Sequence, residues 1–341
     1  MVKTTKLGVG ATPVNLGKVG HGLMMMTWTP KPVPDEVCFE SIKASLDAVP
    51  AGSKMLINSG EFYGNNPRES NLELIARFFE KYPEYADKAF LSVKGGTKAD
   101  SLIPDASPEN LKRSVDCVLA KLRGTKKLDL FQSARVDPNV SIEDNIKTLS
   151  GFVAEGKFDY IGISEAKAST LRRAHAVHPI AVIEIEVSPW SYTQEVKDVI
   201  ETSKELGTIV AAYSPLGRGF LAGKFKSTAD LEDGDYRKGL QRFQEEEMKI
   251  NVNIANGIKA IAEKKGVSAA QLCISWVCSL APNVVPIPGS SNKSRTVENT
   301  ASADIELTPE EFAEVDKLLK DNPVQGGRYF QGSDKQNHLW G

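Results

Sequence analysis

Ile57-Asn58-Ser59-Gly60-Glu61-Phe62-Tyr63-Gly64 carries a short apolar run into a glycine-flanked turn that holds a tyrosine. About thirty residues later Leu91-Ser92-Val93-Lys94-Gly95-Gly96 repeats the pattern with a lysine at its end. Short apolar runs of this kind, bounded by turn residues, read as parallel strands buried on both faces. Tyr63 and Lys94 then leave matching ends of neighbouring strands and can share one site. A nearby ammonium favours phenolate, so Lys94 is expected to lower the pKa of Tyr63. A tyrosine tuned that way is a general acid for an alkoxide, which carbonyl reduction requires.

The same kind of run recurs along the chain. Candidate strands are Gly20–Met24, Lys54–Asn58, Ala89–Lys94, Leu128–Gln132, Tyr160–Ser164, Ala181–Val187, Thr208–Tyr213 and Asn283–Ile287. Amphipathic helical segments lie between them, among them Asp35–Val49, Arg68–Lys81, Pro108–Leu122, Ser141–Glu155, Ser169–Val177 and Glu195–Leu206. Eight strand–helix units in sequence predict an α/β fold of the closed (β/α)8 TIM-barrel type rather than an open sheet. Residues before Gly20 read as a small β-hairpin closing one barrel end, and Thr308-Pro309-Glu310-Glu311 opens an extra C-terminal helix. The whole chain, 1–341, is expected to form one barrel domain. Two stretches break the rhythm: a long loop at 217–248, of the kind that serves as a lid or clamp, and a polar tail at 322–341 that either frays or folds over the site.

Composition narrows the function. The chain has 341 residues, a net charge of −2 and 25% charged residues. That balance leaves no electrostatic footprint for nucleic acid. No apolar run is long enough for a transmembrane helix, and no secretory leader is expected. Four scattered cysteines fit reduced thiols better than a disulfide framework. A cytoplasmic protein is expected, with presence in the nucleus left open. The oligomeric state is not readable from the sequence.

Catalytic groups of a barrel sit at the C-terminal ends of its strands, and two further segments there suit a dinucleotide. Ile209–Tyr213 runs into Ser214-Pro215-Leu216-Gly217-Arg218-Gly219, where Tyr213 can stack on a nicotinamide ring and the loop amides with Lys224 can hold a pyrophosphate. Pro286-Ile287-Pro288-Gly289-Ser290-Ser291-Asn292-Lys293-Ser294-Arg295 passes from the last strand into a helix N-terminus, whose amides suit phosphate oxygens. Arg295 can pair with a phosphate in fork geometry, which favours NADPH over NADH. Gly217-Arg218-Gly219-Phe220-Leu221-Ala222 mimics a Rossmann fingerprint, but the residues that follow supply neither the second strand nor its terminal acid. His175 and His178 lack a third ligand, so no metal site is expected.

Together these segments, with Gly20-His21-Gly22-Leu23-Met24, Arg135-Val136-Asp137-Pro138 and Tyr160-Ile161-Gly162-Ile163-Ser164, resemble the aldo-keto reductases over nearly the whole chain. Ser59-Gly60 before Glu61-Phe62-Tyr63-Gly64, and Asp235-Tyr236-Arg237-Lys238 in the long loop, make the version here most similar to the fungal pyridoxal reductases. The resemblance implies a barrel, NADPH, and reduction of an aldehyde such as pyridoxal. The family's catalytic set is Asp, Tyr, Lys and His. Tyr63 and Lys94 match, whereas Asn58 stands at the Asp position and Ala134 at the His position. Asn58 can accept a hydrogen bond from Lys94 but cannot neutralise it. Ala134 removes a donor to the substrate carbonyl, worth about 3 kcal/mol of barrier, and opens volume for a bulky ring.

The cofactor contacts implied by the resemblance are Gly22, Leu23 and Met24 after the first strand; Ser164, Glu165 and Glu184 at the carboxamide; Tyr213, Ser214, Pro215, Leu216, Gly217, Arg218 and Lys224; and Gly289, Ser291, Arg295, Glu298 and Asn299 at the adenine half. Glutamates 165 and 184 replace the family's Asn and Gln, and their charge would favour the oxidised ring. Trp28 and Ala134 are expected to border the substrate pocket. The altered Asn58 and Ala134 keep a second reading open, an NADPH-binding sensor or accessory subunit with weak turnover.

Overall fold

The computed structural model describes residues 3–10, 13–223, 225, 227–330 and 338–341. An antiparallel hairpin, β1 (Thr4–Leu7) with β2 (Val14–Gly17), precedes the parallel strands β3 (His21–Gly22), β4 (Met55–Gly60), β5 (Ala89–Gly95), β6 (Leu130–Ser133), β7 (Tyr160–Ser164), β8 (Ile180–Glu186), β9 (Ile209–Tyr213) and β10 (Val284–Pro286). These eight strands lie side by side in chain order. Gly22 bridges to Gly289, and Gly20 N–H and Gly22 N–H donate to the carbonyls of Pro286 (2.9 Å) and Pro288 (3.1 Å), so the last strand meets the first. The result is the expected TIM barrel. Around it run α1 (Met24–Thr27), α2 (Asp35–Ala48), α3 (Ser70–Lys81), α4 (Pro108–Leu122), α5 (Ile142–Ala154), α6 (Ala168–Val177), α7 (Gln194–Leu206), α8 (Glu245–Lys265), α9 (Ala269–Ser279), α10 (Lys293–Ala301) and the extra helix α11 (Pro309–Asp321).

Local chemistry sets many of these boundaries. Ser107, Ser141, Ser268 and Thr308 each accept a backbone N–H of the first helical turn, and the last two form full capping boxes. Gly207 and Gly266 end α7 and α8 in the left-handed conformation. The strands are buried on both faces because helices cover the outside and the barrel interior is packed.

The hairpin decides where that interior turns polar. Leu7 and Leu16 pack beneath the barrel with Leu56, Phe90, Leu130 and Val182. Side chains alternate along a strand, so the next inward residues are Asn58, Ser92, Gln132 and Glu184, all buried. Lys94 stands two residues past Ser92. An apolar floor thus carries a polar layer at the C-terminal strand ends. Lys18, between β2 and β3, secures the seam by donating to the carbonyls of Ala281 (2.8 Å), Pro282 (2.8 Å) and Val284 (2.7 Å).

Two sequence expectations shift. β3 stops at Gly22, and Met24 opens α1 instead of ending a strand, because the chain coils back on itself there: Met26 N–H donates to Leu23 O (3.0 Å) and Trp28 N–H to Met24 O (2.9 Å). The 217–248 stretch is built from short 3-10 turns and ends earlier, since Glu245, Glu246 and Glu247 form the first turn of α8, where negative charge complements the helix dipole. Within it Arg218 (φ 56°) and Gly219 (φ 94°) are left-handed, so no Rossmann helix follows. The described part of the tail lies over the strand ends, with Tyr329 O accepting from Gln241 N–H (3.0 Å) and Gly341 N–H donating to Glu165 O (3.2 Å). Among the described residues no helix is long and apolar enough to cross a membrane, and no cluster of three or more metal-ligating side chains occurs.

The seam depends on absent side chains. A Cβ at Gly20 would meet the Leu56 carbonyl oxygen at 2.8 Å and the Ile287 side chain at 2.9 Å. Gly20→Ala is expected to cost about 1–3 kcal/mol by overpacking, read as a lowered midpoint in thermal unfolding. Gly151→Ala, exposed inside α5 with nothing within 4 Å of the new methyl, should move the midpoint the other way, by roughly 0.5–1 kcal/mol of stabilisation.

Candidate active site

Four strands deliver the groups at the centre. Asn58 on β4, Lys94 on β5, Gln132 on β6 and Glu184 on β8 all point into the barrel, and β8 lies across the interior from β4. The Lys94 ammonium donates to Asn58 Oδ1 (2.8 Å) and lies 2.8 Å from Glu184 Oε1 and 2.9 Å from Oε2. Asn58 Nδ2 donates to Glu184 Oε2 (2.6 Å), as does Gln132 Nε2 (2.7 Å). Lys94 and Glu184 are 4% and 3% exposed, so this is a desolvated ion pair. Burial pulls the Lys94 pKa down, but the Glu184 carboxylate and the Tyr63 phenol outweigh it, and the net direction is upward. The ammonium is therefore charged and paired, where the sequence led us to expect an amide partner alone.

Tyr63 follows β4 in a turn fixed by its N–H to Gly60 O (3.2 Å) and by Thr27 Oγ1 donating to its carbonyl (2.6 Å). Its ring centroid lies 5.0 Å from the Lys94 ammonium. The sequence-based expectation was a lowered phenol pKa. In the structure burial raises it, Lys94 opposes that rise, Glu184 adds to it, and the net direction is upward. Tyr63 is thus protonated at neutral pH and available as a donor. Trp28 and Phe62 pack on it with ring centroids at 5.7 and 5.4 Å, and Ala134 completes the apolar cluster. Beyond this cluster a shallow cleft opens between Trp28, Phe62, Asn65, Arg68, Asp100 and Leu102.

A second charged cluster sits at the ends of β7, β8 and β9. Glu165, fully buried with φ 54°, accepts from Tyr213 Oη (2.8 Å) and from Arg328 Nη1 (3.0 Å) and Nη2 (2.9 Å). Arg328 also reaches Glu186 (Nε to Oε2, 3.0 Å) and Tyr213 Oη (2.8 Å), and Arg218 lies 3.3 Å from Glu186. Burial works to raise the Glu186 pKa, but Arg328, Arg218 and Arg242 hold it down at about 2. The carboxamide role implied by the resemblance for Glu165 and Glu184 therefore meets two carboxylates already engaged by cations of this chain.

The remaining expected cofactor residues fall at two ends of one rim. Ser164 ends β7 with its buried hydroxyl unpartnered among the described residues. Gly22 and Gly289 face each other at the seam, with Leu23 and Met24 just beyond. Ser214, Pro215, Leu216 and Gly217 form the turn after Tyr213, and a Cβ at Gly217 would strike the Trp190 ring at 2.6 Å. Ser291 and the exposed Arg295 flank the start of α10, whose N-cap is Asn292. Glu298 accepts from Ser268 Oγ (2.5 Å). Asn299 is 3% exposed, and neither its amide nitrogen nor its oxygen has a partner among the described residues. Lys224 lies outside the described residues. Buried polar atoms are rarely left unpaired, and those at Ser164 and Asn299 fit a polar ligand long enough to span from the β7 end to α10, as a dinucleotide is.

Sequence reasoning missed Gln132, Glu186, Arg328 and Tyr329. A signal existed for Glu186: Ile183-Glu184-Ile185-Glu186 places two carboxylates on the inward face of an otherwise apolar strand. For Arg328 none existed, because its partners lie far back in the chain.

The Arg328 clamp has a defined acid sensitivity. Glu186 is held at about 2 when folded, against an ordinary value of 4.5. Its contribution is therefore complete above about pH 4.5 and is lost as pH falls from there towards 2. Arg328→Met removes the guanidinium shared by Glu165 and Glu186 and leaves buried carboxylates behind, at an expected cost of about 3–5 kcal/mol. Circular dichroism during acid titration should show the variant unfolding at a higher pH than the native protein.

Residues 18–320 match the model of the aldo/keto reductase family. Probable pyridoxal reductase 2 of Schizosaccharomyces pombe is 38% identical over 92% of this chain and 95% of its own length. Putative pyridoxal reductase of Saccharomyces cerevisiae is 31% identical over 91% and 95% respectively. Among solved structures, a glycerol dehydrogenase from Gluconobacter oxydans superposes with a TM-score of 0.80 at 23% identity, covering 95% of this chain and 97% of that one. With its barrel, its buried tyrosine–lysine pair and these relatives, the chain belongs to the aldo/keto reductase family.

Proposed function

We propose that this protein reduces an aldehyde to a primary alcohol with NADPH, and that pyridoxal is the aldehyde. The observation that carries the reading is the protonated Tyr63 phenol, held beside the Lys94 ammonium under an aromatic wall. When bound, the coenzyme supplies the hydride for the carbonyl carbon. Tyr63 then gives its proton to the carbonyl oxygen, acting as general acid. Lys94 stabilises the phenolate left behind, because an adjacent positive charge favours the anion. Trp28, Phe62 and Ala134 exclude water and leave room for a ring where a histidine would otherwise stand. Two relatives carrying the pyridoxal reductase name support that substrate.

Ser164 and Asn299 would satisfy their unpaired atoms on the two ends of the coenzyme. Ser291 and Arg295 at the α10 N-terminus support a 2′-phosphate, since helix amides and an arginine fork both suit that group. Arg295→Ala should weaken NADPH binding by roughly ten- to a hundredfold, the worth of a charge-assisted hydrogen bond. NADH binding should be nearly unchanged, and protein-fluorescence titrations with each coenzyme measure both.

The test of the reaction is NADPH oxidation followed with pyridoxal. Tyr63→Phe is expected to lose about 10²–10⁴ in kcat while still binding coenzyme. Turnover that survives this change would remove Tyr63 as proton donor. Coenzyme binding without turnover on any aldehyde would favour a sensing role instead.

A further inference from the structure

We propose that Glu184, reaching across the barrel from β8, is the counter-ion that keeps Lys94 charged, and that Asn58 and Glu184 form one interdependent unit. This rests on the reading of Tyr63 as proton donor and Lys94 as its charged neighbour. Lys94 is almost wholly excluded from water. An ammonium so placed gives up its proton unless a negative charge is nearby. Asn58 supplies only a dipole, whereas Glu184 places both carboxylate oxygens within 3 Å of the ammonium, at 2.8 and 2.9 Å.

The orientation of Asn58 follows from the pair. Its Oδ1 accepts from the ammonium at 2.8 Å, and its Nδ2 donates to Glu184 Oε2 at 2.6 Å. The reversed amide would set a donor against a donor and an acceptor against an acceptor. A carboxylate at position 58 would lie against the Glu184 oxygen, and two carboxylates that close do not both ionise readily. Given Glu184, position 58 needs a neutral side chain that donates on one side and accepts on the other. Gln132 Nε2, at 2.7 Å from Glu184 Oε2, holds the same oxygen from a third strand. Glu184 acts through Lys94 and is a positioning residue, not a proton donor.

Sign matters for the test. With Glu184 the Lys94 pKa stands above its ordinary value, so the proton donor keeps its charged neighbour as pH rises. Without it, burial pulls the Lys94 pKa down. Losing an opposite charge at this range shifts a pKa by roughly 1–3 units. In Glu184→Gln the alkaline fall of kcat for aldehyde reduction should therefore begin about 1–3 pH units lower than in native enzyme. The deficit should be smallest near pH 6, where Lys94 is protonated in both, and should widen as pH rises. Adding Asn58→Asp to Glu184→Gln restores one carboxylate within reach of Lys94 and should return the alkaline limb towards the native position. Asn58→Asp alone should not improve on the native enzyme.

Each result decides something. A loss of equal size at every pH, not rescued by Asn58→Asp, would overturn the proposal in favour of a purely structural role. An unchanged pH profile with altered affinity for oxidised against reduced coenzyme would overturn it in favour of a carboxamide contact. A second readout needs no substrate, namely urea unfolding as a function of pH. Native Lys94 is raised above the unfolded value of 10.5 and stabilises the fold below that pH. In Glu184→Gln the folded pKa falls below the unfolded one, so the unfolded chain binds more protons and stability rises with pH. The stability gap between the two proteins should be widest near neutrality and close towards pH 10. A gap constant across that range would sink the pairing. Absence of turnover in the native enzyme on every aldehyde would sink the reductase reading and leave this measurement standing.

Discussion

A lysine ammonium cut off from water is the constraint around which this barrel is arranged. Coulomb attraction at under 3 Å is strong in a dry interior, but so is the cost of removing both ions from solvent. The pair persists because the remaining lone pairs and protons are also satisfied, by Asn58 and Gln132. The apolar floor below, built on Leu7, Leu16, Leu56, Phe90 and Leu130, keeps water from entering from that side. The N-terminal hairpin, remote from the chemistry, thereby influences the dielectric in which the chemistry runs.

The charged clusters divide the rim by function and by chain distance. The Lys94–Glu184 group is made wholly by barrel strands and is as rigid as the sheet. The Glu165–Glu186–Arg328 group depends on a residue beyond the last helix, and it ties the tail to the strand ends. Tyr213 belongs to the second group through its hydroxyl. The ring read from the sequence as a nicotinamide platform is therefore coupled to how the tail is seated.

Much of the fold was legible. Tyr160–Ser164 and Pro108–Leu122 are found at the bounds that pattern and capping gave, because runs of alternating geometry and N-cap side chains act over a few residues. The end of β3 was not, because the helical turn that stops it, Met26 N–H to Leu23 O and Trp28 N–H to Met24 O, forms in an apolar run that reads equally well as strand. The placement of Tyr63 just past a strand end was legible, but its burial was not. Lys94 was rightly placed at a strand end, yet the outcome for the phenol depends on desolvation, which only packing reveals. Glu184 was singled out for a different partner: a residue of one strand meeting that of the strand opposite leaves no trace in local sequence. Arg328 in a polar tail carries even less signal.

The interlock of Asn58 and Glu184 also constrains how such a site changes over generations. Moving the negative charge from one strand to the opposite one takes two substitutions, and neither order is neutral. One route passes through a chain with two acids in contact, the other through a chain with none beside a buried cation. Relatives carrying an acid at the first position are therefore expected to lack one at the second, and the two positions should vary together rather than independently.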